Sequence, residues 1–494
     1  MQTSSTKRIT PDLRQCSPNR GVVDVDAPLH TALDPETCRR ARLSRDLRFD
    51  GEFFLGVRST GIYCRPICPA RAAAEHNVVY FREASQAAAA GFRPCLRCRP
   101  EAAPGSAAWQ GSPVTVQRAL RLIREGALNQ GSLAALCTRL GVGERYLRKL
   151  FQRELGVSPN TVAQNQRLLF ARQLLQETAL PITDIAYAAG FGSVRRCNSA
   201  FQESFGKTPG AMRRGQVTAS PEQGIRLLLR YRPPYDWAGV LDFFQRHAVN
   251  GVESVEDGVY RRQIQLRAHS GTIGVRHAPA RHAIELELHL PDLADMIPVV
   301  QRVRRMFDLD ANPEVIAASL RQDPALATLL ERFPGVRSPV CWSAEEATLR
   351  AIVGQQVSIA AARGVCSRLA EATRRPGHPP AFPAAAAVVA LDDSHFPMPT
   401  RRRDTLRRVC SRLASGEAPA ADALLAEPGI GPWTVAMIAM RGEAQPDAFP
   451  PKDLGLMRAW EALPEATEAL QPASEHWRPW RAYAANLLWR SLDA

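Results

Sequence analysis

The chain has 494 residues, 45% of them hydrophobic, and carries 63 Lys and Arg against 49 Asp and Glu, a formal net charge of +14 at pH 7. That length supports several cores, and about three or four domains are expected. No apolar run reaches the ~20 residues that cross a bilayer, the opening MQTSSTKRITPDLRQ lacks the apolar core of a signal peptide, and eleven cysteines argue for reduced thiols and metal over a disulfide framework.

These features lead us to expect a cytoplasmic, nucleoid-associated protein without a membrane partner. The charge is unevenly placed. Lys and Arg outnumber Asp and Glu by 31 to 17 through residue 215, and the count is 32 to 32 from residue 216 onward. A basic front half implies a polyanion partner, and for a cytosolic protein that is nucleic acid; with the motifs below, the partner expected is double-stranded DNA.

Residues 1–28 are polar and aperiodic and read as a disordered tail. Residues 29–101 hold a C-x3-C pair, Cys64 and Cys68, and a C-x2-C pair, Cys95 and Cys98, 26 residues apart. Each pair can offer two sulfurs to one tetrahedral ion, so the pattern predicts one Zn2+ held by four thiolates. Arg58, Arg65, Arg71, Arg93, Arg97 and Arg99 crowd these ligands. A thiolate beside cations and near phosphate can be a nucleophile as well as a ligand. Between the pairs, NVVYFREASQAAAAGFRPC reads as a strand and a short helix.

After a linker at 102–113, residues 114–215 are helical and repeat themselves. Helix, glycine turn and second helix begin at Ser132, with Gly141 in the turn, and again at Ile182, with Gly190. A long helix over about 165–177 joins the two helix-turn-helix units. The second helix of each would enter a major groove, which makes Arg145, Arg148, Lys149, Arg195 and Arg196 candidate DNA contacts.

A second linker, 216–224, precedes a change of pattern. Apolar runs and alternations from 225 to about 290 predict an antiparallel sheet lobe, assigned to 225–308. Helices resume from Asp292 and fill 309–494, apart from the Pro- and Ala-rich stretch RRPGHPPAFPAAAA, read as a loop. There LLAEPGIGPWTVAMIAMRG predicts helix, tight hairpin and helix. Gly429 and Gly431 let the backbone approach a phosphate, and the amides at the next helix start, with Thr434, can hold it. Asp453 follows in DAFPPKDLGL, in a polar island between a Pro-rich turn and an apolar run, where it can cap the helix beginning at Leu454. The fold class expected is therefore multidomain α+β: a zinc-bound α/β module, an all-α tandem helix-turn-helix domain, an antiparallel sheet lobe and all-α lobes.

Three resemblances bear on these segments. FFLGVRSTGIYCRPICPAR resembles the acceptor-cysteine segment of the Ada family, and 114–215 resembles the DNA-binding domain of AraC-type regulators. From 225 to 492, RPPYDW, RMFDLDANP, ATLRAIVGQQVS, the hairpin and WRPWRAYAANLLW resemble the helix-hairpin-helix DNA glycosylases of the 3-methyladenine glycosylase II type. The first resemblance implies that Cys64, besides binding zinc, accepts a methyl group from DNA methylphosphotriesters and switches a promoter-bound activator, with RNA polymerase as a further partner. The third implies that Asp453 is catalytic, that Trp433 and Trp489 recognise alkylated purines such as 3-methyladenine and 7-methylguanine, and that Gln356 takes the wedge position.

Two residues depart from that family's pattern: Gln356 replaces an apolar wedge, and Met437 replaces a pocket tyrosine. Bifunctional relatives use a lysine just after the hairpin, where this chain has Trp433; its only lysine beyond residue 215 is Lys452. A monofunctional enzyme is implied, with no iron-sulfur cluster because no cysteine follows Cys410, and with no organic cofactor. The alternative is a regulator whose second half binds damaged DNA without turnover.

Overall fold

A computed structural model describes residues 34–95, 97, 98, 100, 114–129, 131–213, 224–266, 269–417 and 421–492. The expected tail at 1–28, the linker at 102–113, Arg99 and all but the last residue of the linker at 216–224 lie outside the described residues. The structure mixes helices with two sheets.

The first sheet contains β1 (Phe54–Val57), β2 (Ile62–Cys64), β3 (Val78–Phe81) and β4 (Arg93–Pro94), in the order β3-β1-β2-β4. β1 pairs antiparallel with β2 and β3, while β2 and β4 run parallel, with Tyr63 opposite Pro94. Cys64 ends β2 and Cys95 follows β4, and the Cys95 amide donates to the Tyr63 carbonyl at 2.9 Å. This parallel pairing brings the two cysteine pairs together. The expected strand and Ala-rich helix are present as β3 and Ala84–Ala89.

The two helix-turn-helix units comprise Leu133–Leu140 with Glu144–Leu155, and Ile182–Ala188 with Val194–Phe205, joined by Pro159–Glu177. Gly141 and Gly156 close helices of the first unit in the left-handed conformation, at φ 70° and 65°, where a Cβ would be strained. Leu147, Leu150 and Phe151 face a separate core in the first unit. The second unit behaves differently: its Ile185, Cys197 and Phe201 belong to one continuous core with the following sheet.

That second sheet contains β5 (Ile225–Arg230), β6 (Glu253–Glu256), β7 (Val259–Gln265), β8 (Ser270–Ala278) and β9 (Ala283–His289), ordered β5-β9-β8-β7-β6 and antiparallel throughout. Burial alternates along β7, β8 and β9, so one face covers the core. A helix, Trp237–His247, lies between β5 and β6 within the stretch read as sheet alone. Its apolar residues at 237, 240, 241 and 244 recur at helical spacing, and Asp236 caps it by accepting from the Gly239 amide at 2.9 Å.

Among the described residues, the helices from Pro313 onward form two cores. One gathers Leu326, Leu456, Trp460, Trp477 and Leu488. The other gathers Leu349, Ile352, Leu406, Val409 and Ile438. A cleft opens between them.

Candidate active site and metal centre

In the zinc module the Sγ atoms of Cys64, Cys68, Cys95 and Cys98 all lie within 4.8 Å of one another, with Cys68 and Cys95 4.0 Å apart. Tetrahedral zinc with Zn–S near 2.3 Å sets its sulfurs about 3.8 Å apart, so the donor set and its size fit that ion. The thiols are close enough to share protons: hydrogen bonds to Cys68, Cys95 and Cys98 push Cys64 up, and hydrogen bonds from the other three hold Cys95 down. A divalent cation takes the place of those protons. Cys64 is 7% exposed, while Cys68 is the most accessible of the four.

The arginines around the site divide into two groups. Arg58, Arg71, Arg93 and Arg97 are exposed. Arg65 is buried and braces the site: its guanidinium pairs with Asp50 and donates to the Cys98 carbonyl at 2.9 Å, and its amide donates to the Cys98 sulfur at 3.3 Å. From the long helix of the regulator, buried Arg172 donates to the Cys95 carbonyl at 3.0 Å.

All five candidate DNA-contact residues of the regulator are exposed, on faces opposite the buried Leu147, Phe151, Cys197 and Phe201. Arg148 also pairs with Glu144 at 3.2 Å, one turn earlier on the same helix.

The cleft in the second half encloses about 1640 Å³ and is lined by the hairpin, Trp433, Met437, Lys452, Asp453 and Trp489. Asp453 caps the helix Leu454–Glu461, with Oδ1 accepting from the Leu456 amide at 2.9 Å. The same carboxylate receives both indoles: Trp433 Nε1 donates to Oδ2 at 2.9 Å and Trp489 Nε1 to Oδ1 at 3.1 Å. Capping and cleft-facing roles therefore coincide in one residue, and three donors fix it. With their edges committed to Asp453, the indoles can offer a base only their faces.

Gly429 has φ 93°, and a Cβ there would lie 2.5 Å from Thr405 Oγ1, which donates to the Pro428 carbonyl at 2.8 Å. Gly431, before the helix Pro432–Glu443, has open space where a Cβ would point. Thr434 is 2% exposed and its hydroxyl accepts from Gln355 Nε2 at 2.9 Å, so its side chain is committed within the protein. Gln356 stands exposed at φ 53° on the turn between Ala344–Val353 and Ile359–Ala372, and Lys452 is exposed at φ 58° beside Asp453.

Sequence reasoning missed Gln355 and Arg441. Gln355 Nε2 donates to the Gly429 carbonyl and to Thr434 Oγ1, both at 2.9 Å, tying the turn that carries Gln356 to the hairpin. Arg441 lies buried against Trp489. The only signal for either was its place in a motif, VGQQVS or MIAMRG.

A four-thiolate module, a tandem helix-turn-helix and a hairpin cleft with a fixed carboxylate together define a DNA-directed protein. Family models for the metal binding domain of Ada, a helix-turn-helix domain and the AlkA N-terminal domain match residues 37–101, 136–215 and 226–343. The probable bifunctional transcriptional activator/DNA repair enzyme AlkA of Mycobacterium tuberculosis is 38% identical over 482 residues, 93% of this chain and 97% of that protein. DNA-3-methyladenine glycosylase 2 of Escherichia coli is 31% identical, covering 53% of this chain and 95% of its own length. The Escherichia coli bifunctional transcriptional activator/DNA repair enzyme Ada is 35% identical, covering 41% and 53%. The chain belongs to the family of bifunctional transcriptional activator/DNA repair enzymes of the AlkA type. Its four cysteines are the ligands of one Zn2+.

Proposed function

We propose that this protein answers DNA alkylation twice, as a methyl-sensing transcriptional activator and as a monofunctional glycosylase for alkylated purines such as 3-methyladenine and 7-methylguanine. The observation that carries the enzymatic reading is the Asp453 carboxylate, held by two indole N–H groups and a backbone amide in the wall of the cleft. Breaking the N-glycosidic bond leaves positive charge on the sugar. A carboxylate already fixed in a cleft stabilises that charge without reorganising and can orient the attacking water. The hairpin amides hold backbone phosphate without reading sequence. The base must leave the stack to reach the cleft, and Gln356 fills the space it vacates. The indole faces of Trp433 and Trp489 receive the base, with Met437 beside them, and an electron-rich face favours a cationic purine.

In the sensor, the Cys64 sulfur attacks the methyl carbon of a phosphotriester in line. An S–C bond forms, the C–O bond breaks, and the phosphodiester oxygen leaves with the electron pair. Bound zinc supplies deprotonated sulfurs at neutral pH. Methylation takes the site's formal charge from about −2 to −1, reducing repulsion from DNA. The exposed Arg145, Arg148, Lys149, Arg195 and Arg196 then contact promoter DNA, where the activator meets RNA polymerase.

Incubating the protein with duplex DNA containing 7-methylguanine and counting abasic sites tests the enzymatic reading. Wild type releases the base and Asp453→Asn does not; a wild type that binds the lesion without releasing it overturns the assignment.

A further inference from the structure

Arg441 sits on the hairpin's second helix, 7% exposed, in the wall of the cleft. Its guanidinium carbon lies 4.5 Å from the Phe243 ring centroid and 5.3 Å from that of Trp489, so the cation stands between two aromatic faces. Nη1 donates to the Pro339 carbonyl at 2.6 Å and Nη2 to Asn486 Oδ1 at 2.9 Å. Nε is buried without a hydrogen-bond partner, and among the described residues Arg441 joins no ion pair within 4.0 Å. Burying a cation without a counter-ion is costly, and structure alone would be better served by an apolar residue of similar length. Burial pulls the guanidinium down to about 10, with Cys341 and, to a smaller extent, the Asp453 carboxylate acting in the opposite sense.

We propose that Arg441 is a positioning and specificity-determining residue of the cleft: it covers one face of Trp489, locks the indole whose N–H holds Asp453, and sets a positive charge behind the ring on which the flipped base stacks. The proposal rests on the glycosylase reading of the cleft and deepens it. Because one face of Trp489 is occupied by the guanidinium, a base must stack on the other. Ring contact near 3.5 Å would place that base about 9 Å from the Arg441 charge, within the ~10 Å Debye length even before burial weakens screening. A cationic base then gains less from Trp489 than it would from a bare indole, while a neutral base is unaffected. Arg441 thus widens the range of bases accepted at the expense of preference for cations, and it orients Asp453 through Trp489.

The test compares wild type, Arg441→Gln and Arg441→Lys in the full-length protein, with thermal melts to establish folding and Arg441→Met as the neutral variant if Arg441→Gln does not fold. Two duplexes are used, one with cationic 7-methylguanine and one with neutral hypoxanthine, and kcat/KM for base release is measured on each. Arg441→Gln is expected to raise the ratio in favour of 7-methylguanine about fivefold and to lower kcat on both duplexes. Arg441→Lys, which keeps the charge without the planar fork, is expected to hold the wild-type ratio. The same ratio is read from Kd for duplexes carrying the 2′-fluoro nucleosides, which resist cleavage. A neutral variant with the wild-type ratio, or a lysine variant shifted as far as glutamine, overturns the proposal. If wild type releases neither base, the glycosylase reading fails, and the Kd ratio still decides the role of Arg441.

Discussion

Asp453 joins a local task to a long-range one. Its helix-capping role was legible from the motif, because an aspartate before LGLMRAW is a good N-cap, but the indole contacts come from residues 20 and 36 positions away. Asparagine caps about as well as aspartate but cannot carry the charge. Asp453→Asn is therefore expected to melt within about 0.5 kcal/mol of wild type and to lose base release by at least ~100-fold. Asp453→Ala is expected to lose the activity and, in addition, about 1 kcal/mol of stability in denaturant unfolding. Gln355 makes contacts 74 and 79 residues distant, which no spacing in the chain announces. Removing its amide by Gln355→Ala frees the turn bearing Gln356 from the hairpin, and base release should fall roughly tenfold with little change in melting.

At the scale of elements, regular patterns were readable and composite ones were not. The C-x3-C and C-x2-C pairs, the strand-helix segment between them, both helix-turn-helix units and the glycine hairpin all follow from local spacing and turn chemistry. The helix Trp237–His247 was lost inside a stretch dominated by strand-like alternation, although its own apolar residues keep helical spacing. The hairpin permits a sharp comparison, because its two glycines serve different ends. Gly429 needs its positive φ and its missing Cβ, so Gly429→Ala should distort the turn and cost about 1–3 kcal/mol. Gly431 has neither constraint within the protein. Gly431→Ala is expected to unfold like wild type yet bind undamaged and damaged duplexes more weakly by a similar factor, as measured by fluorescence anisotropy, because its methyl group would meet the phosphate.

At the scale of the molecule, the zinc module is a hub between the other parts. Besides Arg172 from the regulator, Arg232 from the glycosylase half reaches it, donating to the Asp50 carbonyl at 2.8 Å and pairing with Glu52 at 3.2 Å with both side chains at most 1% exposed. Asp50 in turn pairs with Arg65, which braces the ligand Cys98. Sequence reading separated the regulator from the sheet lobe at 216–224, whereas the second helix-turn-helix unit shares one core with that sheet. Such joins depend on complementary surfaces remote in sequence, and composition does not encode them locally. Glu52→Ala leaves Arg232 without its carboxylate, and a loss of about 3–5 kcal/mol is expected in the unfolding of the glycosylase half. Removal of zinc by a chelator should lower the melting temperature of the whole protein rather than of an isolated module, as measured by calorimetry.

One chain is thus proposed to repair alkylated DNA at a sacrificial thiolate and at a catalytic carboxylate. One duplex carrying both a methylphosphotriester and 7-methylguanine tests it directly, with mass spectrometry of the cysteine peptides and counting of abasic sites in the same sample. A single methyl group is expected on Cys64, none on the more accessible Cys68, and abasic sites should accumulate beyond one per protein. A methyl group on Cys68, no methyl transfer, or no abasic sites would contradict it.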